Sequence, residues 1–352
     1  MSRSPRRLVI GMLNTAGQAR EWANAVRHNT PAAAESWGIK RPEESAISFT
    51  ADRTYTLVNG AADQAWKDLL QVPTKPTHLI IESGKPIVIR GTFRRTLFQA
   101  LTARRYGIRP ALLFHGSDIR VPSMHAATHP GSPFHESLDG LTAKLEAQTQ
   151  TMRRWLRVWP FPIFVSTLGL RHYVPRGRWL PIVPDGSWFT PMSAISTDRP
   201  RPHLLHLPSR RALFQSDRVD QICQALHEEG VIEYRSITGV TPAEVRAHVE
   251  WSDIVIDKIG IGGTGVMGAE VMASGRLLIG DIDQIVRDEL DEIPLVQSSI
   301  ATLESVIRAL VADRTTWAAR AAAGQAFARK YHDGRYSAAV LAKWMGVSVN
   351  QP

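Results

Sequence analysis

Residues 251–283 read WSDIVIDKIGIGGTGVMGAEVMASGRLLIGDID, and the fold follows from how this stretch divides. Ile254-Val255-Ile256 is a short apolar β-branched run, the pattern of a buried strand. Gly260, Gly262, Gly263 and Gly265 then make a loop, Val266 to Ser274 has helical composition closed by Gly275, and Leu277-Leu278-Ile279 supplies a second strand. Strand, glycine loop, helix and strand in that order make the repeating unit of a parallel α/β sheet. A loop without Cβ atoms, feeding a helix whose first amides have no intrahelical partner, is a site for phosphate oxygens.

The unit fits two kinds of ligand. Gly260-x-Gly262-x-x-Gly265 matches the dinucleotide fingerprint, with Asp281 or Asp283 near the position of its ribose-binding acid, so an NAD(P)-dependent oxidoreductase is one reading. That fingerprint normally opens a domain, whereas here several strand-helix units precede it and little chain follows. The other reading rests on Glu270-x-Met272-Ala273-x-Gly275, which resembles the E-x-M-A-x-G-x-P-V-I run of retaining, family-4 glycosyltransferases with the two-domain GT-B fold. The resemblance implies that Glu270 binds the ribose hydroxyls of a nucleotide sugar, while Gly262, Gly263, Thr264, Gly265 and Val266 receive the diphosphate. The positive end of the helix dipole is expected to keep Glu270 ionised.

The chain departs from the family pattern at three places. Leu277-Leu278 stands where Pro-Val is usual, and Gly262 stands where the family has the first acid of its E-x7-E pair. The third lies after His203-Leu-Leu-His-Leu207, a strand followed by Pro208-Ser209-Arg210-Arg211, which resembles the H-L-P-S opening of the donor domain. The family's subsequent Lys-Gly pair is replaced by Phe214-Gln215. Arg210 or Arg211 is therefore expected to hold the diphosphate, with Lys258 in reserve. The missing acid and lysine also admit a catalytically silent nucleotide-sugar binder.

A chain of 352 residues, 43% hydrophobic and 21% charged, suits two globular domains. The boundaries expected are 1–184 for an acceptor-side domain, 185–202 for a proline-rich linker, 203–330 for the donor domain and 331–352 for a C-terminal helix that can return to the first domain. No window has the apolar length of a membrane span, the start runs into a strand without a signal-peptide core, and Cys223 is the only cysteine. A cytoplasmic protein is expected. The net charge of +9 comes from scattered arginines with no nucleic-acid-binding module, so it suits an anionic donor and leaves room for peripheral contact with the inner membrane face.

Alternation of apolar runs and amphipathic stretches predicts strands over 8–12, 46–49, 78–82 and 110–114 and helices over 19–28, 61–70 and 92–106. The resulting expectation is α/β: GT-B, two Rossmann-like doubly wound parallel-sheet domains facing a cleft. Gly17 lies in the turn after the first strand, on the edge where such sheets bind ligands. His115-Gly116-Ser117-Asp118 resembles the N-terminal motif of many family-4 transferases, which implies catalytic roles for His115 and Asp118 near phosphate and acceptor. Residues 120–135 are polar, rich in proline and histidine, and read as a mobile loop. His125, His129 and His135 raise the question of a metal, but no acid accompanies them at ligand spacing. Asp281-x-Asp283 mimics a metal-binding D-x-D yet already serves as a strand end. No metal or cofactor is expected beyond the nucleoside diphosphate-sugar as co-substrate, and the acceptor is not indicated.

Overall fold

The first strand, β1 (Arg7–Met12), carries Leu8, Val9 and Ile10 with almost no exposed surface and pairs in parallel on both edges. A strand buried on both faces reads as a continuous apolar run rather than an alternation, and such strands belong to parallel sheets covered by helices. The computed structural model describes residues 5–40, 49–56, 61–71, 75–87, 93–290 and 292–350, and the chain divides into two units.

The first unit comprises the chain up to Val121, Ala147–Val183 and the part from Gly334 onward. Its strands are β1, β2 (Ala33–Lys40), β3 (Arg53–Thr56), β4 (His78–Glu82), β5 (Arg109–Phe114), β6 (Ile163–Val165) and β7 (Arg178–Trp179), all parallel in the order β3-β2-β1-β4-β5-β6-β7. Around them lie α1 (Gln18–Asn29), α2 (Ala61–Leu70) and α3 (Phe93–Arg105). Sequence order runs outward from β1 to β3 and then jumps to β4 on the other side of β1. That reversal opens a crevice at the carboxyl ends of β1 and β4.

The second unit takes Pro122–Glu146 and Pro184–Asp333. Its sheet has five parallel strands, β8 (His203–His206), β9 (Glu233–Ser236), β10 (Ile254–Ile256), β11 (Leu277–Gly280) and β12 (Val296–Gln297), ordered β12-β11-β10-β8-β9. The reversal here falls between β8 and β10. Its helices include α4 (Pro122–Thr128), α6 (Ser216–Glu228), α7 (Pro242–Trp251), α8 (Val266–Ser274), α9 (Gln284–Arg287), α10 (Leu303–Ala312) and α11 (Trp317–Tyr331). α5 (Leu141–Leu156) starts in this unit's first stretch, and α12 (Arg335–Met345) belongs to the first unit. Trp188, within the proline-rich stretch, is buried beside Val271 and Met272 of α8. No helix among the described residues is long and apolar enough to cross a membrane.

Two expectations differ from the fold. The strand expected over 46–49 lies, up to residue 48, outside the described residues, and β2 runs over Ala33–Lys40. Its sequence AAESWGIK has weak strand propensity, and pairing with β1 on one side and β3 on the other decides its conformation. The loop expected over 120–135 contains α4 and a 3-10 turn at Pro133–His135, whose Ser132 hydroxyl accepts from the Phe134 amide at 3.2 Å.

Candidate functional site

In the first unit the crevice is organised by one acid at the end of β4. Glu82 is fully buried, and its carboxylate accepts from the backbone amides of Leu13 (2.8 Å), Asn14 (2.8 Å) and Thr15 (3.3 Å). Those amides belong to the turn after β1, which passes through left-handed conformations at Asn14 (φ 45°), Ala16 (φ 50°) and Gly17 (φ 74°). Asn14 and Ala16 hold a conformation that costs a residue with a side chain about 1–3 kcal/mol. The carboxylate that collects the amides offsets this cost, and Gly17 opens α1 with no such penalty.

The same carboxylate contacts His115 Nε2 at 3.1 Å, and the imidazole stacks on Trp22 with ring centres 5.8 Å apart. Burial alone would lower the His115 pKa, but the hydrogen bond and charge of Glu82, with Asp118 behind it, raise it above the ordinary value. His115 is thus held as a hydrogen-bond donor, and its side chain retains 13% exposure. Asp118 accepts from the amides of His115 (3.0 Å) and Gly116 (2.8 Å) and from the Ser83 hydroxyl (2.6 Å). These contacts shape the turn that presents His115.

In the second unit the crevice lies between the loops after β8 and β10. Gly260 (φ 80°) and Gly262 (φ 72°) need the left-handed region, and a Cβ on Gly262 would collide with the Asp283 carboxylate. Gly263 faces open space. Gly265 precedes α8, no side chain caps that helix, and a Cβ on Gly265 would occupy the place of the Lys258 ammonium. Asp257 accepts from the Gly265 amide at 3.2 Å and fixes the loop from below, while Thr264 packs on Gly268. A helix start without a side-chain cap, with a lysine ammonium beside it, has the electrostatics to receive an anion.

Glu270 lies one turn into α8, and its pKa is pushed up to about 8 by burial and by the neighbouring carboxylates of Asp257 and Asp185. The helix dipole was expected to keep it ionised. Burial and the two acids oppose ionisation of Glu270, against the expectation drawn from the dipole. The Arg211 guanidinium is committed to two acids of α6, Asp217 at 2.5 Å and Asp220 at 2.6 Å. Arg210 is exposed beside it. The geometry therefore places Lys258, rather than Arg211, against the glycine loop.

The histidine-rich segment lies against this loop. His129 Nε2 meets Asp281 Oδ2 at 2.7 Å and its Nδ1 meets Asp283 Oδ1 at 2.6 Å, and these two hydrogen bonds raise its pKa to about 9. His125 contacts the Ser132 hydroxyl at 2.7 Å and the Ile261 carbonyl at 3.3 Å. The acids that are missing around the histidines in sequence are supplied by the turn after β11.

No family model matches the sequence, and no curated protein matches it. Solved structures do match along nearly the whole chain. Sucrose-phosphate synthase from Thermosynechococcus elongatus superposes with a TM-score of 0.62 at 10% identity, covering 97% of this chain and 98% of that one. HepE from Anabaena, in complex with UDP and glucose, gives 0.56 at 12% identity over 97% and 100% of the two chains. WaaG, a glycosyltransferase involved in lipopolysaccharide biosynthesis, gives 0.53 at 11% identity over 96% and 99%. The fold is GT-B. At such low identity the likeness carries the architecture, and function rests on the site residues of this chain.

Within the GT-B frame, the residues that sequence reasoning missed are Glu82 and Asp257. Each is an acid that directly follows or ends a short apolar strand, and each collects the amides of a neighbouring loop. The sign available in sequence was a charged residue at the carboxyl end of a buried parallel strand, where a scaffold role needs no charge.

Proposed function

We propose that this chain is a glycosyltransferase of the family-4 type that moves a hexose from a nucleoside diphosphate donor to an acceptor hydroxyl with retention. The observation that carries the reading is the start of α8. A helix N-terminus without a side-chain cap, the Lys258 ammonium and the Glu270 carboxyl group, which has no hydrogen-bond partner among the described residues, meet at one switch point. The diphosphate takes the amides of Gly263, Thr264 and Val266 and the Lys258 charge, with Arg210 as a second cation, while the Gly265 amide stays with Asp257. Glu270 takes the ribose diol. Catalysis comes from stabilising the departing diphosphate, which needs oriented dipoles and a cation rather than a strong base. His115, oriented by Glu82, donates a hydrogen bond in the crevice, and Asp118 and Gly17 act by holding their turns. The transfer itself draws on no cofactor.

That similar structures are glycosyltransferases, one of them solved with UDP and glucose, supports the donor class. Nothing comparable favours the nicotinamide reading. A thermal-shift screen of UDP, GDP, ADP, their sugars and NADH tests it: stabilisation by a nucleoside diphosphate and its sugar is expected. Stabilisation by NADH with indifference to every nucleoside diphosphate would overturn it. Donor turnover with an α-configured product from an α-configured donor then separates a retaining transferase from a silent binder.

We propose that the protein works in the cytoplasm against the inner membrane face, and the surface of α3 supports the membrane contact. The helix contains four arginines and no acid, and its outer face exposes Phe98 (69%) and Leu101 (46%), followed by Tyr106 (52%). The end of α5 adjoins it through the Phe93–Trp155 ring contact and adds Arg154, Arg157 and Val158 (60% exposed). Apolar side chains ringed by arginines suit an anionic bilayer surface.

A further inference from the structure

We propose that His125, His129 and Asp283 form a binding site for one divalent transition-metal ion of the zinc type, which pins the segment Pro122–His135 to the glycine loop. His125 and His129 are one helical turn apart and share a face, with the His129 amide bonded to the His125 carbonyl at 2.9 Å. Asp283 comes from the turn after β11, its amide bonded to the Gly262 carbonyl at 3.0 Å. One ligand atom from each of the three residues lies within 4.8 Å of the others. Around an ion with metal-ligand bonds of about 2.0–2.2 Å, tetrahedral ligand atoms stand roughly 3.4 Å apart, so modest side-chain rotations close the set.

The partners behind these groups are already in place. Ser132 Oγ holds His125 Nδ1, and His125 Nε2 lies 3.3 Å from the Ile261 carbonyl on the loop, a contact that the ion would replace. Asp281 holds His129 Nε2, which leaves Nδ1 facing Asp283. This is the carboxylate–histidine–metal relay, in which the outer acid fixes the tautomer and raises ligand basicity. Asp281 is itself fixed by the Gly260 amide at 3.0 Å and the Gln297 amide group at 2.7 Å. Two imidazole nitrogens and a carboxylate oxygen suit zinc or its neighbours and are too nitrogen-rich for calcium or magnesium.

The proposal does not depend on nucleotide binding and is tested with metal alone. Tag-free full-length protein, stripped with chelator, is titrated with zinc in competition with a chromophoric chelator. One equivalent should bind, and His125→Gln and Asp283→Asn should each weaken it by tenfold or more. Cobalt(II) should give the intense visible bands of a four-coordinate nitrogen-oxygen site in wild type, a readout that holds even if a variant folds poorly. Substoichiometric zinc binding, equal affinity in wild type and both variants, or only the weak bands of hexaaqua-like cobalt would overturn it.

Discussion

Glu82 is fully buried and Glu270 partly exposed, both near a glycine turn, and their surroundings differ. Glu82 collects three backbone amides and His115, whereas Glu270 has no hydrogen-bond partner among the described residues and two acids nearby. A carboxyl group raised to about 8 against an ordinary 4.5 favours folding fully below the lower value, and that share is lost as pH climbs through the higher one. A ribose diol donating to the carboxylate reverses the preference, so nucleoside diphosphate affinity should rise from pH 6.5 toward 8 and level off above it. Glu270→Gln should flatten that rise, cost roughly 1.5–3 kcal/mol of affinity at pH 8.5, and abolish discrimination against 2′-deoxyribonucleotides. Calorimetric titrations over the range check this, and parallel wild-type and mutant curves would remove Glu270 from the ribose. Lys258 and Arg211 are separated in the same way. Lys258→Ala should weaken diphosphate binding at least tenfold, while Arg211→Ala should leave it within about twofold, because its guanidinium serves Asp217 and Asp220.

At the scale of elements, α3 has the clearest testable surface. Replacing Phe98 and Leu101 by Ser, or Arg94 and Arg105 by Gln, should each reduce cosedimentation with phosphatidylglycerol vesicles severalfold. The arginine change alone should also remove most of the salt dependence. Equal binding to neutral phosphatidylcholine vesicles would point away from an anionic surface. The same elements show what sequence can reveal. β1, β4, β5, β10 and α8 were legible because each couples an unbroken apolar run to a glycine or polar stop. β2 was not, since its Ala, Glu and Gly positions hold a strand only through pairing on both sides. α4 was hidden by its length of 7 residues and by the histidines that suggested a loop. The site was legible where backbone requirements fix residue type, at Gly260, Gly262 and Gly265, and not where long-range partners decide, as for the Asp217 and Asp220 clasp on Arg211 or the Asp281 and Asp283 clasp on His129.

At the scale of the whole molecule, each unit has its own core, and the first is completed only by the last helix of the chain. Leu341 and Met345 of α12 are buried with Trp22 and Val26 of α1 and with Leu8, and the Trp344 ring meets His78 at 4.7 Å and Phe164 at 5.4 Å. In the second unit Trp317 is fully buried among Leu303, Ile307 and Leu310, with its indole nitrogen donating to the Leu310 carbonyl at 2.9 Å. Leu341→Ala opens a cavity in the first core only and should cost that unit about 2–5 kcal/mol. Trp317→Phe should cost the second unit a smaller amount through lost contacts and an unpaired carbonyl. Calorimetry of the two variants should therefore show different parts of the heat-absorption profile moving to lower temperature. A nucleoside diphosphate binds the second unit under the proposed function, so it should raise the transition that Trp317→Phe lowers and leave the one that Leu341→Ala lowers nearly unmoved. A single transition shifted alike by both substitutions and by the nucleotide would mean that the two cores melt as one cooperative body.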